Sequence, residues 1–397
     1  MRLLVLALGS FAIGMDGFVF AGILGDIGAD LDVSTGAAGQ LVTVFALGYA
    51  ILAPVLAAAT GRWPRRRVLL TAMALFTAGN VVTALAPNYG IALGSRLLAA
   101  AGAAMFLPNA AAGAAALVPP ERRARALAVL SGGNSASLVL GAPFGTWLGG
   151  ARGWHSTMWV IVGLGAVAML GMAISLGPIP AGPVSGLRDR LRPLTDGRVL
   201  LIQSVTFVAF LAAFTAYPYL GDVLAPAGAD HGGPLAWALL VFGFGAVLGT
   251  TLAGRTVDRF GADRTAVLAV TGITAALLLT IAARHAYPAA LAVLVLWGMT
   301  GWQIVVSQQH RLISLDPTNA PVIISLNGSA QYLGVSLGGA LGGASVGPLG
   351  GGGLTALAAG IGLAACVLVA LSVRRTVAPD HVTAAPKASV PVTAVEC

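Results

Sequence analysis

Two charged residues stand in otherwise apolar stretches that are long enough to cross a membrane. Asp16 lies in stretch 3–24 and Arg96 lies in stretch 89–117. An ionised side chain inside a bilayer costs at least about 2.5–3.5 kcal/mol, so each should face a cavity or pair with a partner. Burial favours a neutral carboxyl group and a nearby arginine favours an ionised one. We therefore expect Asp16 to couple to protons or to bind a cation, with Arg96 regulating its charge.

Both residues also have a simpler interpretation. Asp16 could lie near the end of its stretch and reach water there. Arg96 could extend its long side chain to the membrane surface, with only its methylene groups among apolar neighbours.

Amide side chains within the apolar stretches are a second set of candidates. Asn109, Asn327 and Gln331 could each hydrogen-bond a small molecule in a cavity between helices. They could equally bond to neighbouring helices, which is common in membranes and modest in energy. Asn109 is the best candidate of the three, because the helix-perturbing Pro108 precedes it near the middle of its stretch.

Twelve apolar stretches must position these residues. The chain has 397 residues, of which 57% are hydrophobic and 9% charged, whereas a soluble domain is about 25% charged. A helix that spans a bilayer needs about 20 mostly apolar residues. On that scale the predicted spans are 3–24, 36–60, 68–86, 89–117, 125–150, 155–177, 199–220, 234–254, 264–283, 287–311, 321–345 and 354–373.

Two arginine-rich loops indicate that the chain is duplicated. Arg62 and Arg259 occupy equivalent places in loops that lie about half a chain apart. We therefore predict an all-α membrane protein with an N-terminal six-helix bundle (1–177), a linker (178–198), a C-terminal bundle (199–375) and a disordered tail (376–397). Such repeats are the usual plan of a secondary transporter, with its binding site at the midplane.

The basic residues predict the orientation. If the N-terminus is cytoplasmic, 19 of the 22 lysines and arginines fall in cytoplasmic segments. Both termini should then be cytoplasmic, and the first span should be retained rather than cleaved as a signal peptide.

Other function classes fit poorly. The net charge of +8 comes from arginines in short loops that form no continuous basic face, which argues against nucleic-acid binding. There is no Walker A sequence and no metal-ligand spacing, and Gly343-Ala344-Ser345-Val346-Gly347 lacks the strand–turn–helix context of a hydrolase. We expect no cofactor, no metal and no enzymatic activity.

Several motifs resemble those of the major facilitator superfamily. The loop signature Gly-x-x-x-Asp-Arg-x-Gly-Arg-Arg has a good copy in the second half, at Gly254, Asp258, Arg259, Gly261 and Arg264. The copy in the first half keeps Arg62, Arg65 and Arg66, but has Ala57, Gly61 and Pro64 in place of Gly, Asp and Gly.

Three further matches narrow the resemblance. Arg96 is followed by Ala100 and Gly102, as in the family's fourth span. Span 5 resembles the antiporter signature through Gly132, Gly141, Pro143 and Gly145, and residues 14–24 resemble an acidic first-span motif. The chain thus looks like the twelve-span drug:proton antiporters, especially the chloramphenicol-efflux branch, over nearly all of its first 375 residues.

The resemblance implies alternating access between two bundles. It implies that the arginine-rich loops latch the cytoplasmic gate, that Gly141, Pro143 and Gly145 bend span 5 to close a leak path, and that Phe18 and Tyr217 line the cavity. The expected function is proton-driven export of a small amphipathic compound, such as chloramphenicol, by a monomer in the cell membrane.

Two alternatives remain. The first is a transporter of an endogenous metabolite, such as a sugar, nucleoside or amino-acid derivative. The second is a membrane receptor or membrane enzyme that transports nothing.

Overall fold

The first half of the chain forms six long helices. The computed structural model describes residues 1–179, 186, 188, 191–317 and 319–377, which contain no strand. α5 consists of two helical segments, joined by one π-helical turn, Ser137–Gly141. The six helices are α1 (Arg2–Asp30), α2 (Thr35–Ala59), α3 (Arg65–Ala84), α4 (Tyr89–Ala116), α5 (Arg123–Ala136 and Ala142–Arg152) and α6 (Trp154–Ser175), with a short 3₁₀ helix at Pro120–Arg122.

The second half repeats this arrangement. A 3₁₀ turn, Tyr217–Tyr219, and a short helix, Leu220–Leu224, continue α7. The helices are α7 (Gly197–Ala216), α8 (Gly232–Phe260), α9 (Ala262–Ala283), α10 (Tyr287–Leu315), α11 (320–349) and α12 (351–377), with short 3₁₀ helices at Arg192–Thr195 and Ala225–Ala227.

A bend at Gly350 separates the last two helices. The stretch Ala320–Val377 is continuous except at Gly350, whose φ of 61° favours glycine. At 58 residues it is far longer than one crossing requires. The prediction of twelve membrane-length helices in an all-α fold is therefore confirmed. The predicted linker lies partly, and the predicted tail from residue 378 onward, outside the described residues.

Short polar side chains begin several helices. The Ser34 hydroxyl accepts a hydrogen bond from the Ala37 N–H at the start of α2. The side-chain oxygen of Asn88 accepts a hydrogen bond from the Ile91 N–H at the start of α4. Each satisfies one of the backbone donors that a helix leaves free in its first turn.

Glycines allow neighbouring helices to pack closely. A Cβ at Gly102 of α4 would meet the backbone of Phe76 in α3, and one at Gly249 of α8 would meet the carbonyl oxygen of Met299 in α10. Close approach of this kind stabilises helix pairs in membranes, where apolar burial provides no driving force.

The two ends of the bundle differ in charge. Arg2 bonds to the Ser175 carbonyl at the end of α6, and Arg311 at the end of α10 bonds to Asp263 at the start of α9. These contacts gather the chain's N-terminus and both arginine-rich loops at one end, which we call the arginine-rich end. The opposite end carries mainly aspartates: Asp26, Asp30, Asp32, Asp222 and Asp230.

Candidate functional site

A cavity of about 430 Å³ lies between the two halves. Side chains from α1, α2, α4 and α5 form one wall, and side chains from α7, α8, α10 and α11 form the other. It runs from the middle of the bundle towards the arginine-rich end, where its lining includes Ser131, Thr250 and Gln309.

The halves close on each other at the opposite end. Gly36 of α2 packs so tightly against Gly343 of α11 that neither could carry a Cβ without displacing the other's carbonyl. The Ser336 hydroxyl of α11 donates a hydrogen bond to the Thr43 carbonyl of α2 (3.1 Å). The Tyr219 hydroxyl, which donates to the Gly339 carbonyl within its own half, packs against Gly39 of α2. Likewise, the second segment of α5 (Ala142–Arg152) packs along α8 of the other half. The first segment of α5 (Arg123–Ala136) hardly touches α8. The cavity is therefore sealed at this end.

Asp16 and Arg96 form a buried ion pair behind the cavity wall. Arg96 donates two hydrogen bonds to Asp16, from Nη1 to Oδ1 (3.0 Å) and from Nη2 to Oδ2 (2.9 Å). Their side chains are 0% and 1% exposed. The simpler interpretations, that Asp16 reaches water and that Arg96 extends to the membrane surface, are therefore wrong.

The surroundings of Arg96 suit a guanidinium group. Its central carbon lies 4.5 Å from the ring centroid of Phe20 and 4.7 Å from that of Phe45. Asn80 accepts a further, longer hydrogen bond from Nη1 (3.4 Å). Ring faces stabilise a desolvated cation by up to about 2 kcal/mol each, so arginine fits here better than lysine.

One layer of side chains separates this ion pair from the cavity. Phe45 touches the guanidinium on one side and lines the cavity on the other. Tyr49 of α2 and Tyr332 of α11 stack across the two halves with ring centroids 3.9 Å apart, and both line the cavity. A movement that separates the halves at this level breaks this stack.

An aromatic cluster connects α1, the helix that carries Asp16, to the C-terminal half. Phe18 of α1 meets Tyr217 of α7 edge to face (6.4 Å) and lies 5.7 Å from Trp302 of α10. Phe242 of α8 touches both Tyr217 and Trp302, at 4.9 and 5.9 Å. The structure thus brings the two predicted aromatic residues, Phe18 and Tyr217, into one cluster.

The predicted amides occupy different places. Gln331 lines the cavity, where it remains a predicted contact for the substrate. Asn327, one helical turn away, does not: it is 1% exposed and donates hydrogen bonds to Gln203 (2.8 Å) and Thr206 (2.9 Å) of α7. Asn109 also lies outside the cavity lining and bonds to the Met105 carbonyl of its own helix. For these last two, bonding within the protein replaces the predicted contact with a ligand.

The arginine-rich loops contain few ion pairs. Arg66 donates to the Ala173 carbonyl of α6 (2.7 Å), while Arg62 is exposed and Arg65 partly buried. In the second loop, Gly254, Asp258, Arg259 and Arg264 belong to the ends of α8 and α9, and within the described chain Asp258 forms no ion pair. Gly261 is the single residue between these helices, and its φ of 83° accounts for glycine there.

An ion pair that sequence reasoning missed lies beside this loop. Arg311 of α10, only 3% exposed, bonds to Asp263 of α9, to Gln308 (2.9 Å) and to Ser372 of α12 (2.7 Å). In the sequence Arg311 looks like one more arginine at a helix end. The sequence did contain one indication that Arg311 is buried and bonded. Gln308 and Arg311 are two polar residues that lie one turn apart in an apolar helix.

The bend motif of α5 serves packing. The π-helical turn Ser137–Gly141 ends two residues before Pro143, whose ring and missing N–H disturb the regular helical bonding. A Cβ at Gly145 would meet Val19 of α1 (2.5 Å), and Gly141 lies against Met15. These contacts hold α5 against α1 at Met15 and Val19, which lie before and after Asp16 in the sequence.

The described residues form twelve membrane-length helices in two halves, with a cavity between them that is closed at one end, an arrangement that defines a multi-pass membrane protein of the transporter class. The chain belongs to the Major Facilitator Superfamily, because a sequence model of that family matches residues 6–339 and, in a second match, residues 233–395.

Relatives and a solved structure agree with this assignment. The chain is 30% identical to the uncharacterized MFS-type transporter YbcL of Bacillus subtilis (strain 168), over 87% of this chain and 88% of the relative. It is 34% identical to a chloramphenicol resistance protein of Streptomyces lividans, over 68% of this chain and 69% of the relative. A crystal structure of a mutant of nucleoside transporter NupG has the same fold, with a TM-score of 0.74 at 11% identity, covering 94% of this chain and 99% of that one.

Proposed function

We propose that this protein exports a small amphipathic compound, with chloramphenicol as the first candidate, in exchange for protons. The observation that carries the proposal is the fully buried Asp16–Arg96 pair one side-chain layer from the central cavity. The similarity to a chloramphenicol resistance protein supports the choice of substrate.

The arginine-rich end is placed on the cytoplasmic side in this proposal. That orientation gives the cytoplasmic segments most of the basic residues and makes both termini cytoplasmic. The structure then corresponds to the state that is open to the cytoplasm and closed to the outside. A monomer in the cell membrane takes up its substrate from the cytoplasm or the inner leaflet in this state.

Asp16 couples the substrate cycle to protons. In the cytoplasm-facing state the Asp16 carboxyl group is held by the two terminal guanidinium nitrogens of Arg96. When the outer contacts between α2 and α11 separate, Tyr332 moves away and Asp16 can take up a proton from outside. Neutral Asp16 then releases Arg96, and the proton leaves to the cytoplasm when the pair re-forms.

A susceptibility panel tests this function. We expect expression of the wild-type protein in a drug-sensitive host to raise resistance to chloramphenicol, and a protonophore to abolish the gain. The Asp16→Asn variant should give no gain, whereas Gly94→Ala, at an exposed position with open space around it, should match the wild type. No change in susceptibility to any drug in the panel would contradict drug export and leave an endogenous metabolite as the substrate.

A further inference from the structure

A narrow slot opens off the central cavity in the C-terminal half. Helices α7, α8, α9 and α10 enclose it, and it shares Phe210, Phe214 and Trp302 with the cavity lining. We call it the aromatic slot, since six aromatic side chains line it: Phe210, Phe214, Tyr217, Phe242, Trp297 and Trp302.

One polar atom buried beside the slot is unpaired. The Tyr217 hydroxyl has no hydrogen-bond partner among the described residues, and the whole residue is 3% exposed. A buried, unpaired hydroxyl costs about 1–3 kcal/mol, a cost that a hydrogen-bond acceptor on a bound ligand would remove. Water is a poor partner, because a buried water needs two to four polar contacts and the free surface of the slot is apolar.

The chemistry of the lining selects its ligand. No ionisable carboxylate, amine or guanidinium lines the slot, so an ion would lose its hydration without gaining a counterion. Ring faces alone could hold a quaternary ammonium group. Such a group, however, has no atom that could bond to the Tyr217 hydroxyl.

Ring contacts in the slot already have the geometry of aromatic recognition. Phe242 meets Trp297 and Trp302 edge to face, with centroids 5.9 Å apart and interplanar angles of 87° and 83°. The free volume is only about 10 Å³, which is roughly one water molecule. A ring that enters must displace a side chain shared with the cavity, such as Trp302 or Phe214, and it replaces the ring contacts of that side chain with its own.

We propose that the aromatic slot binds an uncharged aromatic ring of the transported compound, and that the Tyr217 hydroxyl donates a hydrogen bond to an acceptor group on that ring. This inference names the substrate class of the proposed export site and rests on that function. It separates two tasks: the C-terminal half recognises the ring, and the N-terminal half carries the coupling charge on Asp16.

Tryptophan quenching tests the slot without requiring transport. Nitroaromatic compounds quench tryptophan on contact, so 4-nitrobenzyl alcohol and chloramphenicol serve as probes for the purified full-length protein in detergent. We expect saturable quenching that is reduced in Trp302→Phe and mostly lost when Trp297 is also replaced by phenylalanine, because both indoles line the slot. Trp237→Phe, at a residue that is 62% exposed, should leave the saturable part unchanged.

The Tyr217→Phe variant tests the hydrogen bond. It removes one oxygen atom from a buried site with no partner, so we expect the protein to remain folded with an unchanged or higher unfolding temperature. Binding of 4-nitrobenzyl alcohol should weaken by roughly 2- to 12-fold, as expected for one hydrogen bond. Cyclohexylmethanol and benzyltrimethylammonium should both fail to compete with the probe.

The outcomes distinguish this proposal from the function on which it rests. Drug export with quenching that is unaffected by Trp302→Phe and Tyr217→Phe would overturn the slot and leave the proposed function standing. Saturable, Tyr217-dependent quenching without drug export would support the slot and contradict the function. Effective competition by benzyltrimethylammonium, or an absence of saturable quenching, would also overturn the slot.

Discussion

Replacing either partner of the Asp16–Arg96 pair should destabilise the protein, but for different reasons. Asp16→Asn leaves a buried guanidinium that cannot give up its proton. Removing one partner of a buried ion pair costs about 3–5 kcal/mol. Phe20 and Phe45 remain against the guanidinium and offset part of this cost, so we expect a loss near the lower end, about 3 kcal/mol.

Arg96→Leu leaves a carboxyl group that can become neutral. We expect the folded variant to take up a proton at Asp16, because an isolated carboxylate in an apolar site is far less favourable. The folded variant then holds one proton more than its unfolded chain, so its stability rises as the pH falls. The gradient is at most about 1.4 kcal/mol per pH unit, the value for a difference of one bound proton.

Denaturant titrations in mixed micelles measure these differences. The stability of Asp16→Asn should show no comparable slope between pH 6 and pH 8, and the double variant Asp16→Asn/Arg96→Leu should be more stable than Asp16→Asn alone. Equal losses for the two single variants, with no difference in their pH dependence, would refute a desolvated ion pair at this position.

Three further predictions concern the close contacts between helices. Gly102→Ala should cost about 1–3 kcal/mol, since its Cβ would meet the α3 backbone, whereas Gly94→Ala should be neutral or slightly stabilising in the same thermal assay; equal effects would contradict the packing. Gly36→Ala should prevent the close contact with Gly343, and cysteine labelling at the outer end should rise; unchanged labelling would argue against a seal there. Ser336→Ala removes the hydrogen bond to Thr43, worth about 1 kcal/mol, from this seal and should raise the labelling rate several-fold, whereas a lower rate would show that the hydroxyl favours opening.

Much of the fold could be predicted from the sequence because it follows from one-dimensional properties. The lengths of the apolar stretches predicted the twelve helices, and the positions of the arginines predicted which helix ends lie together at one end of the bundle. The bend between α11 and α12 was predicted as a longer break, over 346–353, but a single left-handed glycine, Gly350, suffices.

The site depended on three-dimensional neighbours that spacing does not reveal. Asp16 and Arg96 were found because an isolated charge in an apolar stretch is costly, and that cost does not depend on which helices adjoin. Asn327 and Gln331 share a helix face, so periodicity could not show that only Gln331 reaches the cavity. Trp302 was missed for the same reason, since an aromatic residue facing lipid and one facing a cavity look alike in sequence.

Drug-driven proton movement in proteoliposomes tests the coupling claim most directly. Purified protein is reconstituted with a pH-sensitive dye inside the vesicles, and chloramphenicol is added without a pre-formed proton gradient. The account predicts proton movement opposite to the drug in the wild type and none in Asp16→Asn, with Gly94→Ala matching the wild type. Proton movement of wild-type size in Asp16→Asn would contradict it.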